Sequence, residues 1–149
     1  MIVYRFGKSP TFALAVALLL LAFSSGCSEK DTGRVAVWGD VTWKGQPVPS
    51  GVVYFSPDTK KGNKGPQGYA LIKAGAYDSR GELSKGCVTG PVMVSIQGCD
   101  GQGIVPGKPY GRSLFASHET SLDIPAEGGQ IDLTVPDSAA PPAAASEKE

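Results

Sequence analysis

Apolar and polar side chains alternate with a period of two over most of the chain beyond residue 33. This alternation is typical of β-strands that bury one face and expose the other. The first predicted strand places four apolar side chains on one face, namely Val35, Val37, Val41 and Trp43. Trp38 has the opposite parity and shares its face with polar residues. We therefore expect Trp43 in the core and Trp38 on the outer side of the sheet.

About seven short strands are predicted between residues 34 and 136, separated by turns rich in glycine and proline. The clearest is 91–97, and the others are 35–43, 52–55, 69–73, a short strand near Tyr77, 122–124 and 131–135. Residues 127–129 (EGG) predict a hairpin turn between the last two strands. No segment shows helical periodicity over three turns. The pattern therefore favours an all-β fold, an antiparallel β-sandwich.

Residues 12–23 form a wholly apolar run at the beginning of the chain. Arg5 and Lys8 precede it, and the first acidic residue is Glu29. As a helix the run would be about 18 Å long, whereas the hydrocarbon core of a membrane is about 30 Å thick. A buried core helix would need a polar face, which this run lacks. A basic lead before a short apolar run is typical of an export signal, which we assign to residues 1–26.

The sequence 24–27 (SSGC) follows the apolar run directly. It resembles the bacterial lipobox, in which small residues precede a cysteine that receives lipid, although serine stands where leucine is usual. The resemblance implies a lipid anchor on Cys27, with residues 27–33 as a tether. The alternative is ordinary cleavage after Gly26, which would leave a free thiol. Because Ser28 rather than aspartate comes next, we expect the outer membrane rather than the inner one.

The exported part of the chain has nearly balanced charge. The chain holds 14 basic and 14 acidic residues, and loss of Arg5 and Lys8 with the signal leaves 12 basic against 14 acidic. A nucleic-acid-binding face needs clustered basic residues, so we expect no nucleic-acid partner. Residues 137–149 are rich in alanine, proline and serine and predict a disordered tail. The single β-sandwich domain is then 34–136.

Residues 39–57 and two later stretches carry a resemblance to a known family. The first stretch, GDVTWKGQPVPSGVVYFSP, is similar to the opening hairpin of carboxypeptidase regulatory-like domains. Residues 75–77 and 90–96 are similar to later signatures of that family, although Ala74 stands where aspartate is usual. The resemblance implies a prealbumin-like β-sandwich without catalytic activity of its own, as in small bacterial envelope lipoproteins built from one such domain.

Cys87 and Cys99 remain as a pair if Cys27 carries lipid. A disulfide would persist outside the cytoplasm and would stabilise the fold by about 3 kcal/mol through loop closure. However, the strand 91–97 between the two cysteines spans about 23 Å, whereas bonded Cα atoms lie within about 7 Å of each other. A Cys87–Cys99 disulfide and two separate thiols therefore both remain open.

Few residues offer catalytic or metal-binding chemistry. His118 is the one histidine, and its neighbours Ser117 and Glu119 are too close in sequence to form a triad, whose members converge from separate elements. Zinc prefers several histidine or cysteine ligands, and the aspartates are scattered rather than clustered as calcium requires. We therefore expect no catalytic residue, no metal site and no cofactor.

Four aromatic residues of the predicted strands could form an exposed platform for sugar rings: Trp38, Trp43, Tyr54 and Tyr69. Strand aromatics more often fill a core, and parity leaves Trp38 as the possible ligand contact. The sequence favours a lipid-anchored cell-envelope protein, not an enzyme, whose β-sandwich serves structural or protein–protein contact. The alternatives are a carbohydrate-binding envelope module and, less favoured, a secreted hydrolase. The expected partners are the membrane, through lipid on Cys27, and an envelope protein or a glycan.

Overall fold

The computed structural model describes residues 33–139. The predicted export signal, Cys27 and the tether up to residue 32 lie outside the described residues, as does the predicted tail from residue 140 onward. The predicted domain, 34–136, lies wholly within them. In this part of the chain no helix is long and apolar enough to cross a membrane.

Short strands make up most of the domain. They are β1 (Arg34–Val35), β2 (Val37–Trp43), β3 (Gln46–Pro47), β4 (Ser50–Pro57), β5 (Gly68–Lys73), β6 (Ala76–Asp78), β7 (Cys87–Val88), β8 (Gly90–Cys99), β9 (His118–Ile124), β10 (Gly129–Gln130) and β11 (Leu133–Val135). A 3₁₀ helix, Thr59–Lys61, follows β4. These strands outnumber the predicted seven because β1, β3, β7 and β10 have two residues each, too few to show alternation.

Nine of the strands form one curled sheet. Its main order is β10-β2-β6-β5-β4-β8-β9, and β3 and β11 also pair with β2. The remaining pair, β1 and β7, forms a separate antiparallel ribbon. Pairing is antiparallel throughout except that β10 and β11 run parallel to β2. The predicted all-β, antiparallel sandwich class is confirmed.

The inner face of the curled sheet encloses one apolar core. Alternate residues of β4 and β8 point inward and are buried, namely Val53, Phe55, Val92, Val94 and Ile96. Residues of β2 and β11 contribute to the same cluster, namely Val37, Val41, Leu133 and Val135. Each such side chain contributes about 1.5–3 kcal/mol when it leaves water. The strand predicted most clearly, 91–97, lies within β8, the longest of these strands at ten residues.

β4 and β8 approach each other closely at Gly51. Its φ is 144°, and a Cβ there would lie 2.0 Å from the carbonyl oxygen of Gln97. Glycine is required because only a residue without Cβ permits both this backbone conformation and this contact. The close approach lets one edge of β4 pair with β8 along the whole length of β4. The other edge of β4 pairs with β5.

The predicted hairpin between residues 122–124 and 131–135 is wrong. β9 pairs with β8 at one end of the sheet, whereas β11 pairs with β2 near the other end. A turn does form, since the Gly128 N–H donates to the Pro125 carbonyl at 3.0 Å. The Gly129 N–H then donates to the Ala36 carbonyl, which brings the chain alongside β2. Alternation shows which face a strand buries but not which strand it pairs with.

Candidate functional site

The outer face of the sheet carries an open groove of about 600 Å³ beside Trp38. Strands β2, β6 and β5 form its floor, and residues 81–84 of the loop between β6 and β7 form one wall. Its lining includes Trp38, Asp40, Leu71, Lys73, Asp78 and Gln130. A concave site with an aromatic surface and a few polar groups suits a small ligand. The residue predicted as a ligand contact therefore lies in a groove.

Strand register fixes the position of Trp38. In β2 it faces Asp78 of β6 on one side and Gln130 of β10 on the other. Its carbonyl accepts a hydrogen bond from the Ile131 N–H at 2.7 Å. The side chain is half-buried, and its indole N–H has no hydrogen-bond partner among residues 33–139. The backbone of Trp38 is therefore held in place, while its indole donor stays available to a ligand.

The guanidinium of Arg80 covers part of the Trp38 ring. Its Cζ lies 4.3 Å from the ring centroid, a cation–π distance. The Asp78 carboxylate accepts three hydrogen bonds from the guanidinium: from Nε to Oδ1 at 2.9 Å, from Nε to Oδ2 at 3.1 Å and from Nη2 to Oδ2 at 2.8 Å. Hydrogen bonds from Arg80 hold the pKa of Asp78 below its ordinary value. Those from the Arg80 side chain have the larger effect, and the one from its backbone N–H has the smaller effect. The groove thus has an ionised pair of fixed geometry next to its aromatic surface.

The loop of residues 79–86, which forms the groove wall, is attached at both ends. At one end Ser79 is buried, its N–H donates to the Val37 carbonyl at 2.9 Å, and its Oγ accepts from the Val37 N–H at 2.8 Å. At the other end Lys85 and Tyr69 exchange backbone hydrogen bonds of 2.8 and 2.9 Å. Because these bonds join the loop to β2 and β5, the wall and the floor form one preorganised unit.

The charged side chains around the groove nearly cancel. Lys73, Asp40, Asp78 and Glu82 line the groove, and Arg80 lies beside it over the Trp38 ring. A cleft lined by one sign of charge would concentrate ions of the opposite sign. This mixture provides no such field, so the groove suits an uncharged polar ligand better than a strongly charged one.

Two tyrosines extend the aromatic surface on the outer face. Tyr54 of β4 and Tyr69 of β5 are opposite each other, with ring centroids 6.4 Å apart and planes tilted by 46°. Tyr110, from the loop between β8 and β9, lies near these two tyrosines. Burial raises the pKa of the Tyr110 phenol, and the nearby phenols of Tyr54 and Tyr69 raise it further. Three of the four aromatic residues considered for a platform thus lie on one face.

Trp43, the fourth aromatic residue, packs against the core as predicted. Its ring centroid lies 5.3 Å from that of Phe115 and 4.5 Å from the Lys44 Nζ. Its indole Nε1 is buried without a hydrogen-bond partner in the described part of the chain. Trp43 does not line the Trp38 groove, so the two tryptophans occupy separate environments.

Cys87 and Cys99 are free thiols, and both are buried. Cys99 is opposite Ser50, at the beginning of β4. Cys87 lies against Gly68 of β5, and Gly68 is opposite Phe55 of β4. The five-residue offset between Ser50 and Phe55 corresponds to about 17 Å along the strand, more than the roughly 7 Å that a disulfide spans. Of the two alternatives left open by the sequence, the structure has the separate thiols.

His118 begins β9, opposite Ile96, and is half-buried. The hydroxyl of its neighbour Ser117 shares a hydrogen bond of 2.8 Å with the Ser95 hydroxyl rather than with the imidazole. Among residues 33–139 no group of three or more histidine, cysteine, aspartate or glutamate side chains is placed to hold a metal ion.

No known protein family matches the chain, and neither does any curated protein or solved structure. The assignment of a site therefore depends on geometry. The sequence pattern indicates Trp38 but not the ion pair beside it, because Asp78 is one of many aspartates scattered along the chain. The sequence does contain a signal for this pair. Asp78 and Arg80 are two residues apart, and both have the parity opposite to that of the buried Tyr77, which places them on the outer face.

Proposed function

We propose that this protein is a lipid-anchored cell-envelope protein whose β-sandwich is a non-catalytic module that binds carbohydrate. The observation that carries this proposal is the half-buried indole of Trp38 in a preorganised groove. Structural or protein contact, which the sequence favoured, becomes the second candidate because the groove offers a site for a small ligand. The sequence resemblance of residues 39–57 to carboxypeptidase regulatory-like domains, which have no catalytic activity of their own, supports a non-catalytic role.

The groove chemistry matches that of a sugar ring. A sugar has an apolar C–H face bordered by hydroxyl groups, and the flat indole of Trp38 offers the complementary apolar surface. Asp40, Lys73 and Gln130 line the groove and provide hydrogen-bond donors and acceptors for hydroxyls. The near-cancellation of charge favours a neutral ligand over a charged one.

The location of the protein is proposed from the sequence. The export signal at 1–26 and the lipobox-like residues before Cys27 support attachment to a membrane, with the outer membrane favoured. Two or three acyl chains hold a protein stably at a bilayer, whereas one gives marginal binding. The β-sandwich would then be displayed on the periplasmic side or at the cell surface.

Protein contact retains one specific supporting observation. The loop between β8 and β9 exposes Ile104 by 65% and Val105 by 51%. Contiguous exposed apolar surface marks contact sites for other proteins, and these two side chains are adjacent in sequence. Neither residue lines the Trp38 groove, so protein contact and sugar binding would use different surfaces.

Equilibrium binding to neutral oligosaccharides tests the sugar-binding proposal. The full-length protein is solubilised in a detergent without a sugar headgroup, because a glycoside detergent would compete for the groove. Cello-, malto- and chito-oligosaccharides are then titrated by calorimetry. We expect saturable binding of at least one series. Trp38→Ala should weaken it about tenfold, since loss of an aromatic contact costs on the order of 1–1.5 kcal/mol.

Trp43→Phe is the matched control, because it removes the tryptophan that lies outside the groove. Its affinity should equal that of the wild type. Absence of binding to all three series would contradict the proposal, and so would equal affinity of wild-type protein and a folded Trp38→Ala variant. Thermal unfolding of each variant shows whether it is folded.

A further inference from the structure

Aromatic side chains continue from the Trp38 groove across the outer face. Leu71 of β5 lines the groove, and Tyr69 is the next residue of that strand on the same face, because strand side chains alternate. Tyr69 in turn faces Tyr54 of β4, with ring centroids 6.4 Å apart. The tyrosine pair therefore follows the groove on the outer face, toward the centre of the sheet.

The tyrosine pair is available for contact with a ligand. Both side chains are half-buried, and neither hydroxyl has a hydrogen-bond partner within the described range. Tyr77 on the inner face differs, since its hydroxyl donates to the Ile131 carbonyl at 2.7 Å and its ring is buried. A phenol that serves only the fold is thus paired, whereas the outer two phenols are free to donate and accept.

A closed loop holds the third tyrosine beside this pair. The Asp100 carboxylate accepts from the backbone N–H groups of Gln102 and Arg112, at 2.8 and 2.9 Å, and from the Arg112 Nε at 3.1 Å. The Gly101 N–H donates to the Tyr110 carbonyl at 3.0 Å. These bonds fix the base of the loop, so Tyr110 borders the outer-face aromatic surface from a defined position.

We propose that the ligand is a linear glycan that lies across the strands, with one sugar unit on Trp38 and later units on Tyr69 and Tyr54. This inference depends on the proposed function of the groove. Strand β2, which holds Trp38, and β4, which holds Tyr54, are three strand spacings apart in the sheet, or about 14 Å. A single sugar ring cannot span that distance, whereas an oligosaccharide chain can.

Chain-length dependence of binding tests the inference. Disaccharides to hexasaccharides of the cello, malto and chito series are titrated against the full-length, detergent-solubilised protein. The wild-type affinity should rise with chain length until both aromatic groups are occupied. Tyr69→Ala and Tyr54→Ala should weaken hexasaccharide binding about tenfold, as expected for loss of a stacking contact, and should leave disaccharide binding unchanged. Tyr69→Phe retains the ring and should retain most of the affinity.

The outcomes separate this inference from the proposed function. Trp38→Ala should weaken binding of every chain length. The extended site is overturned, and the Trp38 groove is kept as the binding site, if Trp38→Ala weakens binding but either of two results is also found. One is a wild-type affinity that is independent of chain length. The other is normal hexasaccharide binding by folded Tyr69→Ala and Tyr54→Ala variants. If Trp38→Ala weakens nothing, the proposed function fails. The wild-type series decides the matter even if the alanine variants do not fold.

Discussion

Trp38 and Trp43 belong to the same strand but have different environments. Trp43 packs against the core, whereas Trp38 lies in the outer groove, and the parity of each position predicts that difference. What parity does not reveal is the Asp78–Arg80 pair over the indole, because an ion pair depends on side-chain geometry in the folded chain. At the scale of single residues, the sequence therefore predicts which face a side chain occupies but not its polar partners.

The buried thiol of Cys87 predicts loss of stability at alkaline pH. Burial raises its pKa from the ordinary value of 9.0 to about 11 in the folded protein. Between these values the unfolded chain releases a proton that the folded chain keeps, so the free energy of unfolding falls as pH rises. The full effect is about 2–3 kcal/mol, at about 1.4 kcal/mol per pKa unit. Urea unfolding at several pH values between about 8 and 11 measures it.

Cys87→Ala is the control for this titration. It has no thiol at this position, so its unfolding free energy should fall less steeply over the same pH interval, even though the smaller side chain lowers stability at every pH. If the free energy of unfolding falls equally steeply with pH in wild type and variant, burial of the Cys87 thiol is contradicted.

Thiol counting on unreduced, denatured protein should detect Cys87 and Cys99 as two reactive groups, as expected for separate thiols.

Strands and loops differ in how far the sequence predicts them. Alternation predicted β2, β8 and the all-β class, because burial of one face imposes a period of two on any half-buried strand. It did not predict that β11 pairs with β2, since pairing depends on the path of the chain after the turn at 125–128. The groove wall at 79–86 was also unpredictable, because backbone hydrogen bonds to distant strands hold it.

The Asp100 carboxylate and several backbone hydrogen bonds together hold the base of the loop between β8 and β9. Asp100→Ala removes the acceptor for the backbone N–H groups of Gln102 and Arg112, so both should exchange with solvent about tenfold faster or more. Amide hydrogen exchange measures this directly, and the amide of Val53 in central β4 serves as the internal reference. Asp100→Asn keeps one side-chain oxygen and should have a smaller effect. Unchanged exchange at Gln102 and Arg112 in Asp100→Ala would show that other contacts hold the loop.

At the scale of the whole molecule, the proposed anchor and the proposed binding face belong to separate parts of the chain. The proposed lipid is on Cys27, outside the described residues, whereas the groove lies within 38–84 together with Gln130. This arrangement suits a module that holds its ligand near a membrane. Membrane attachment and sugar binding should therefore respond to different substitutions.

Cys27→Ser should move the protein from the detergent phase to the aqueous phase in a detergent phase-separation assay. The reason is that serine cannot accept the lipid, and each buried acyl methylene contributes about 0.8 kcal/mol to membrane binding. Cys99→Ser is the matched control, since it also replaces a thiol but leaves the proposed anchor in place. Partitioning of Cys27→Ser into the detergent phase, as for wild type, would eliminate the lipid anchor.

Contact between Trp38 and a neutral glycan is the interaction on which the proposed function depends. The chain has two tryptophans, so in a Trp43→Phe variant the indole fluorescence arises from Trp38 alone. Titration of this variant with cello-, malto- and chito-hexasaccharides should change the intensity or the wavelength of emission in a saturable manner for at least one series. Emission that stays constant across all three series would contradict this interaction.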